Sequence, residues 1–217
     1  MKLLSSILCI SLFVSCSFAQ IKGSGNVTTE NRTVTTFNKI KMNGVFNVTL
    51  QQGNTEAVTV TTDDNLQQYI TVTVDNGTLT VGMKKNSNFS KTTKMELVIS
   101  CKAISDINNN LVGNLTTEGN LTTDKLAFTS SAVGNSTINL TANDLLLNLN
   151  AVGNTKLLGT AVLCTFTNKS VGDFDGAGLL IENLTLKNKA VGNTTYNAIK
   201  ATVNNDALGN TKNVHKD

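Results

Sequence analysis

The chain has no proline and no tryptophan, one arginine (Arg32), one histidine (His215) and two tyrosines (Tyr69 and Tyr196). Each scarcity removes a class of function. A Ser/His/Asp or Cys/His nucleophile needs an imidazole fixed beside its partners, and the one histidine lies in a polar tail, Asn213 to Asp217, that reads as frayed. Zinc sites built on histidine fail for the same reason. A formal net charge of +3 with no Lys/Arg cluster leaves no electrostatic footprint for nucleic acid. Without tryptophan, aromatic platforms for a glycan have thin support. No Gly-rich phosphate loop of the required spacing occurs. Beyond the first twenty residues no apolar run approaches the length of a helical membrane span.

What is abundant is threonine, 32 residues, and asparagine, 30 residues. Threonine suits strands, and asparagine suits corners and turns. The composition therefore points to an all-β domain.

Residues 1–19 read as a signal peptide, with Lys2 as the positive start and Leu3 to Val14 as the apolar stretch. Ser17-Phe18-Ala19 favours cleavage after Ala19. Phe13-Val14-Ser15-Cys16 resembles a loose lipobox, in which Cys16 would carry lipid, but lacks the usual leucine three residues before the cysteine. Either route exports the protein; secretion, the periplasm and the outer-membrane surface stay open as destinations. Cleavage after Ala19 leaves 198 residues, enough for one sizeable core. Of the remaining cysteines, Cys101 ends an alternating run and Cys164 sits where other repeats have leucine. Both read first as small core residues, with a disulfide between them as the alternative.

The organising signal lies between Leu111 and Asn210. A four-residue phrase recurs there: Leu111-Val112-Gly113-Asn114, Ala132-Val133-Gly134-Asn135, Ala151-Val152-Gly153-Asn154, Ser170-Val171-Gly172-Asp173, Ala190-Val191-Gly192-Asn193 and Ala207-Leu208-Gly209-Asn210. The glycines are 21, 19, 19, 20 and 17 residues apart. Self-similarity at that period is the mark of a solenoid, whose units bury their apolar faces only against one another. Eight residues before the glycine stand Leu126, Leu145, Cys164, Leu184 and Ala201; six before stand Phe128, Leu147, Phe166, Leu186 and Val203. That period of two puts both sets on one strand face. Ile138, Leu140, Leu157 and Tyr196 mark a second strand after each corner. A unit of two or three short strands with sharp corners, and no room for a helix, reads as a single-stranded parallel β-helix. Five or six coils would make a rod roughly 25–30 Å long, with the asparagines forming an amide ladder along one corner.

Residues 20–103 lack the phrase but are rich in strand patterns. Ile70–Val74, the turn Asp75-Asn76-Gly77 and Thr78–Val81 form the clearest hairpin. Asp63 to Tyr69 reads as a short helical turn, and Lys84 to Lys94 as a polar loop. The expected organisation is one domain over 20–217, with irregular N-terminal coils and a hairpin in 20–103 closing one end, and regular glycine-corner repeats in 104–212.

Several motifs in this order are familiar: Gly23-Ser24-Gly25, Arg32-Thr33-Val34, Phe37-Asn38-Lys39-Ile40, Gly44-Val45-Phe46-Asn47-Val48, Asp64-Asn65-Leu66 and Gly77-Thr78-Leu79, then the run of glycine corners. The chain resembles the bacterial family called putative auto-transporter adhesin, head GIN domain. Members commonly write the corner as Ser-Gly-Ala/Ser-Gly, where this chain has Val-Gly-Asn. The resemblance implies an exported, right-handed β-helical domain, and carries no catalytic or ligand residues onto this sequence.

The enzymatic rival is polysaccharide cleavage on a β-helix, for which Asp144, Asp173, Asp175 and Glu182 are the candidate carboxylates. Asp144 lies nine residues before its glycine and Asp173 one after, which puts them on different sides of a coil. Gly172-Asp173-Phe174-Asp175-Gly176 comes close to a calcium-binding nonapeptide, but only once. The expectation is a protein without enzyme activity, metal or cofactor. It is read as a cell-envelope or secreted binding or adhesion module for a cell-surface glycan or a protein. The alternative is a structural protein that self-associates end to end, and a homo-oligomer fits either reading. The binding residues are unknown from sequence.

Overall fold

The computed structural model describes residues 20–216; the expected signal peptide, with the cleavage site at Ala19 and the lipid site at Cys16, lies outside the described residues. The N-terminal half contains β1 (Ile21–Lys22), β2 (Val27–Arg32), β3 (Lys39–Val45), β4 (Asn47–Gln52), β5 (Ala57–Asp63), a 3-10 helix (Asp64–Tyr69), β6 (Ile70–Asp75), β7 (Thr78–Met83), β8 (Phe89–Lys91) and β9 (Met95–Cys101). The C-terminal half contains β10 (Asp106–Val112), β11 (Leu115–Glu118), β12 (Leu121–Ser130), β13 (Ser136–Leu149), β14 (Thr155–Asn168), β15 (Phe174–Asn188), β16 (Thr194–Asn205) and β17 (Thr211–Asn213). The result is a parallel β-solenoid of about five turns. No helix among the described residues is long and apolar enough to cross a membrane.

Each full coil is one long strand that bends, rather than two or three separate strands. In β13 the buried side chains are Ser136, Ile138, Leu140 and Ala142, then Leu145, Leu147 and Leu149. The alternation skips at Asn143-Asp144, where two successive residues face outward and the strand turns a corner. Val162-Leu163 in β14 and Glu182-Asn183 in β15 occupy the same bend. The expected columns are in register: Leu126, Leu145, Cys164 and Leu184 pair through the stack, as do Phe128, Leu147, Phe166 and Leu186. All eight are buried. Removing such a side chain from water is worth about 1.5–3 kcal/mol, so the stack holds only while its neighbours are present.

The stack begins before the glycine phrase does. β3 pairs in parallel with β10, and β4 with β11, which makes Val45-Phe46-Asn47 the first corner, with phenylalanine at the glycine position. β7 and β9 extend this coil one layer further, parallel to β3 and β4. Below them the direction reverses. β6 lies antiparallel to β7, β5 antiparallel to β9, and β2 antiparallel to β5. Reversed strands deny an incoming parallel coil its pairing pattern and so close this end of the rod. The hairpin at Asp75-Asn76-Gly77 forms as expected, with φ positive at both Asn76 and Gly77.

At the other end the core thins: the columns that hold Leu184 and Leu186 in β15 hold Ala201 and Val203 in β16. The tail departs from its expected frayed state. β17 pairs with Thr194–Tyr196, Val214 N–H donates to the Tyr196 carbonyl, and the Asn213 amide bonds both the N–H and C=O of Ala198.

Candidate binding surface at the glycine corner

The corner phrase places four kinds of side chain at fixed points. The residue two before glycine is small because it packs inward: Ala132, Ala151, Ser170 and Ala190 are buried. The next residue faces out and bridges to its counterparts above and below, from Val45 through Val112, Val133, Val152, Val171 and Val191 to Leu208. The valines are each close to 50% exposed and Leu208 is 77% exposed. Seven apolar side chains therefore form one stripe, about 29 Å long at a strand spacing of ~4.8 Å.

The glycine has to be glycine. From Gly113 to Gly192 its φ lies between 124° and 141°. A Cβ on Gly153 would sit 2.3 Å from the carbonyl oxygen of Gly134 one coil below, and the same contact recurs up the column. The asparagine that follows builds a ladder of a different kind from the one expected. Its side-chain oxygen accepts the backbone N–H of the next coil's residue: Asn47 to Asn114 at 3.0 Å, Asn114 to Asn135 at 3.1 Å, Asn135 to Asn154 and Asn154 to Asp173 at 3.0 Å, Asp173 to Asn193 at 2.7 Å. Within this corner column only Asn114 to Asn47 adds an amide-to-amide bond, and among the described residues a further one joins Asn110 to Asn43 on the strand before the corner. The carboxylate of Asp173 serves as a rung in the same way. A second, buried set lies behind the corner, where Asn109, Asn168 and Asn188 bond the N–H of Leu111, Ser170 and Ala190.

At the foot of the stripe the segment between β7 and β9 stands beside the corner and makes two adjoining clefts. One, of about 400 Å³, lies between Val45, Val112 and Gly113 and the residues Thr92–Glu96. The other, of about 290 Å³, is lined by Val45, Met83, Phe89, Lys91 and Met95. This segment was expected to be a plain polar loop. It instead contains β8, which pairs with β1, and it is tied at several points. Ile21 N–H donates to Asn88 O, Gly23 N–H to Lys91 O and Lys84 N–H to Tyr69 O, while the Tyr69 and Phe89 rings meet edge to face at 5.9 Å.

The strongest tie is Asp63. Its carboxylate accepts the Thr93 N–H and the Thr93 hydroxyl, both at 2.8 Å, and the Gly25 N–H at 2.7 Å. Burial pushes this carboxyl up, but the bonds from Thr93 and Gly25 outweigh it and hold it below the usual range. Nearby, Gln67 is buried and fully used: its amide nitrogen donates to Thr28 O and Val60 O, and its oxygen accepts from Arg32. The lone arginine is thus a structural bracket for the end cap. The second cleft is consequently held in place, with Val45, Met83, Phe89 and Met95 among polar lining residues, and the Lys94–Glu96 ion pair lines the first.

The four candidate carboxylates do not converge. Asp144 and Glu182 share the outer bend but stand two coils apart, about 10 Å, with Val162 and Leu163 exposed between them. Asp173 and Asp175 flank the glycine corner on the other side of the coil, as their spacing indicated. Burial raises the Asp175 carboxyl, and its 3.1 Å bond to Lys156 with the Ala177 N–H brings it below the usual range. His215 has its ring nitrogen 2.9 Å from the Asn197 amide oxygen rather than a carboxylate. Cys101 and Cys164 are free, buried thiols. Burial pushes Cys101 up to about 11 and Cys164 up to about 12, so both are inert core residues. Among the described residues no group of three or more His, Cys, Asp or Glu side chains is placed to hold a metal ion. The cleft residues were missed in the sequence because they come from four separated segments; the positive signal was the pair Phe89 and Met95 in an otherwise polar stretch.

Comparison with known proteins gives a consistent picture. The family described as "Putative auto-transporter adhesin, head GIN domain" matches residues 36–210. A crystal structure of a putative adhesin from Bacteroides fragilis is 27% identical, with a TM-score of 0.82, covering 89% of this chain and all of the other. A putative adhesin from Parabacteroides merdae is 20% identical, with a TM-score of 0.62, over 90% of this chain and 99% of the other. A putative lipid binding protein from Parabacteroides distasonis is 15% identical, with a TM-score of 0.65, over 90% of this chain and all of the other; at that identity it bears on the fold alone. A search of curated proteins gave no match.

Proposed function

The chain belongs to the putative auto-transporter adhesin, head GIN domain family, and on that premise we propose that it is an exported, non-catalytic binding module of the adhesive kind. The observation that carries this reading is the cleft at the foot of the corner. On a surface otherwise rich in threonine and asparagine, Val45, Met83, Phe89 and Met95 line one concave place, and its wall is fixed by Asp63, β1 and Tyr69. A preformed apolar pocket with a few polar groups at its rim is the usual form of a ligand site. Phe89 is its one aromatic residue, so an apolar side chain of a protein partner fits the lining better than a sugar ring. End-to-end stacking has less support, because β2, β5 and β6 reverse the strand direction at one end.

The reading is tested on cells and in vitro together. Protease added to intact cells should remove the protein while a periplasmic control survives. The purified chain should bind surface-protein extract from the cells' natural partners, and Phe89→Ser with Met95→Ser should reduce that binding at least tenfold while leaving the fold intact by circular dichroism. Protection of the chain until the outer membrane is broken, or unchanged binding by the double variant, would count against it.

A further inference from the structure

We propose that the valine stripe is a self-association surface on which a second copy of this chain docks side by side, the two rods parallel. This goes beyond the cleft and does not depend on it: the segment between β7 and β9 stands over only the two lowest rows, Val45 and Val112.

Three observations point to a second copy. The first is period. The stripe presents one branched apolar side chain per coil, at ~4.8 Å, over seven rows. A surface with the same period, able to offer a knob to every gap, is the stripe itself. Columns of identical side chains that interdigitate without water are the basis of a steric zipper, and a two-fold axis makes one patch serve both partners.

The second is area. Above the rows of Val45 and Val112, four half-exposed valines and Leu208 at 77% offer roughly 450 Å² of apolar surface per copy. A pair would bury about 900 Å² of it, and the polar flanks beside the stripe must supply the rest of the roughly 1,200 Å² of a specific, stable interface. Leu163 and Ile199 are as exposed as the stripe valines, but only the stripe repeats an apolar side chain at every coil.

The third is charge, and it selects the orientation. From Gly134 upward the residue three before each glycine forms one flank, with Ser131, Asn150, Lys169, Lys189 and Asp206, the last two paired with each other at 3.6 Å; the residue after the glycine forms the other, with Asn135, Asn154, Asp173, Asn193 and Asn210. A two-fold axis along the stripe faces one flank of each copy with the other flank of its partner, coil by coil. Lys169 then meets Asp173 twice, and every other pair includes a neutral polar residue. The alternative two-fold, perpendicular to the stripe, faces each flank with itself in reverse coil order and forms no ion pair. The parallel arrangement also brings both clefts to the same end of the pair, where two sites on one partner surface gain avidity.

The test is sedimentation equilibrium of the mature full chain over a wide concentration range, with circular dichroism to confirm folding. The wild type should form a dimer. Val152→Asp with Val171→Asp should be a folded monomer, because both side chains already face water. Lys169→Glu should weaken the dimer about tenfold, and adding Asp173→Lys to it should restore most of the loss, with circular dichroism and urea unfolding confirming that the double variant folds without its rung to Asn193. A wild type that stays monomeric at the highest concentration would overturn the proposal. So would a dimer that survives the double valine substitution. Lys169→Glu dissociation that Asp173→Lys does not reverse would overturn the parallel orientation.

Discussion

The two halves of this molecule hold themselves together differently. From β10 onward, each coil repeats a small set of instructions: two buried columns, a small inward residue, an outward valine, a glycine and an asparagine rung. Each instruction acts on the coil directly above or below, so stability is close to a sum over neighbours. In the N-terminal half the ties are single and long in sequence. Asp63 joins Gly25 to Thr93, and Gln67 joins Thr28, Val60 and Arg32. The regular half builds a straight scaffold with a uniform surface. The irregular half closes that scaffold and adds its concave feature. Regularity gives length, and departure from it gives a site.

The sharpest way to break the comparison is at the glycine column. Gly153→Ala introduces a Cβ 2.3 Å from the Gly134 carbonyl oxygen at a φ of +124°, so neither strand can relax without shifting the next coil. Backbone strain and overpacking each cost about 1–3 kcal/mol, and the backbone contact puts this variant near the upper end, about 4–5 kcal/mol together. Gly119→Ala is the control. Its φ is also positive, +75°, but nothing stands within 4 Å of the added Cβ. It should cost about 1 kcal/mol. Urea unfolding of the two variants against wild type reads the difference directly. Similar costs would mean that conformational strain, not coil-to-coil contact, is what the glycine relieves.

This contrast also marks how far the sequence could be read. The repeat was legible because the same physical demand recurs at one spacing, and a column such as Leu145, Cys164, Leu184 identifies its own face. The first coil was not, because Phe46 stands where later coils have glycine and 67 residues separate Asn47 from its partner Asn114. The ladder was legible as a column of asparagines but not in its bonding, since composition cannot distinguish an amide that accepts from its twin from one that accepts from the backbone. The cleft was hidden for a stronger reason. Asp63, Thr93 and Gly25 are ordinary loop residues in sequence, and only the fold brings them together. The tail looked frayed because it is short and polar; its asparagine and the last coil's open edge complete one another.

A smaller effect tests the irregular half. Asp63→Asn keeps the shape but replaces an acceptor that takes three donors with an amide that must turn one N–H group toward them. Leaving buried donors poorly matched costs about 1–3 kcal/mol. Hydrogen exchange should show residues 84–95 losing protection while β13–β15 keep theirs, and cleft binding should weaken with it. The pH dependence has a definite sign. The carboxyl of Asp63 is lower in the folded than in the unfolded chain, so its contribution is fully present above the unfolded value of about 3.9 and is lost as pH falls through the folded value below it. Protection of 84–95 in the wild type should therefore persist at pH 4.5 and fail in stronger acid. The variant should show little of that dependence. Equal loss of protection across both halves would mean that the loop and the solenoid open as one unit.

The smallest effect sharpens the picture of the regular half. Asn154→Ala removes the oxygen that accepts the Asp173 N–H at 3.0 Å and leaves the rung below it intact. The freed N–H sits beside an exposed residue, where water can replace the bond, so the cost should be about 0.5–1 kcal/mol. The value of this measurement lies in combining it. If each rung serves only its own pair of coils, Asn135→Ala and Asn154→Ala together should cost the sum of the two single changes. A double variant that loses clearly more than the sum would show that the rungs reinforce one another along the corner, and the regular half would then be a cooperative column rather than a series of neighbours.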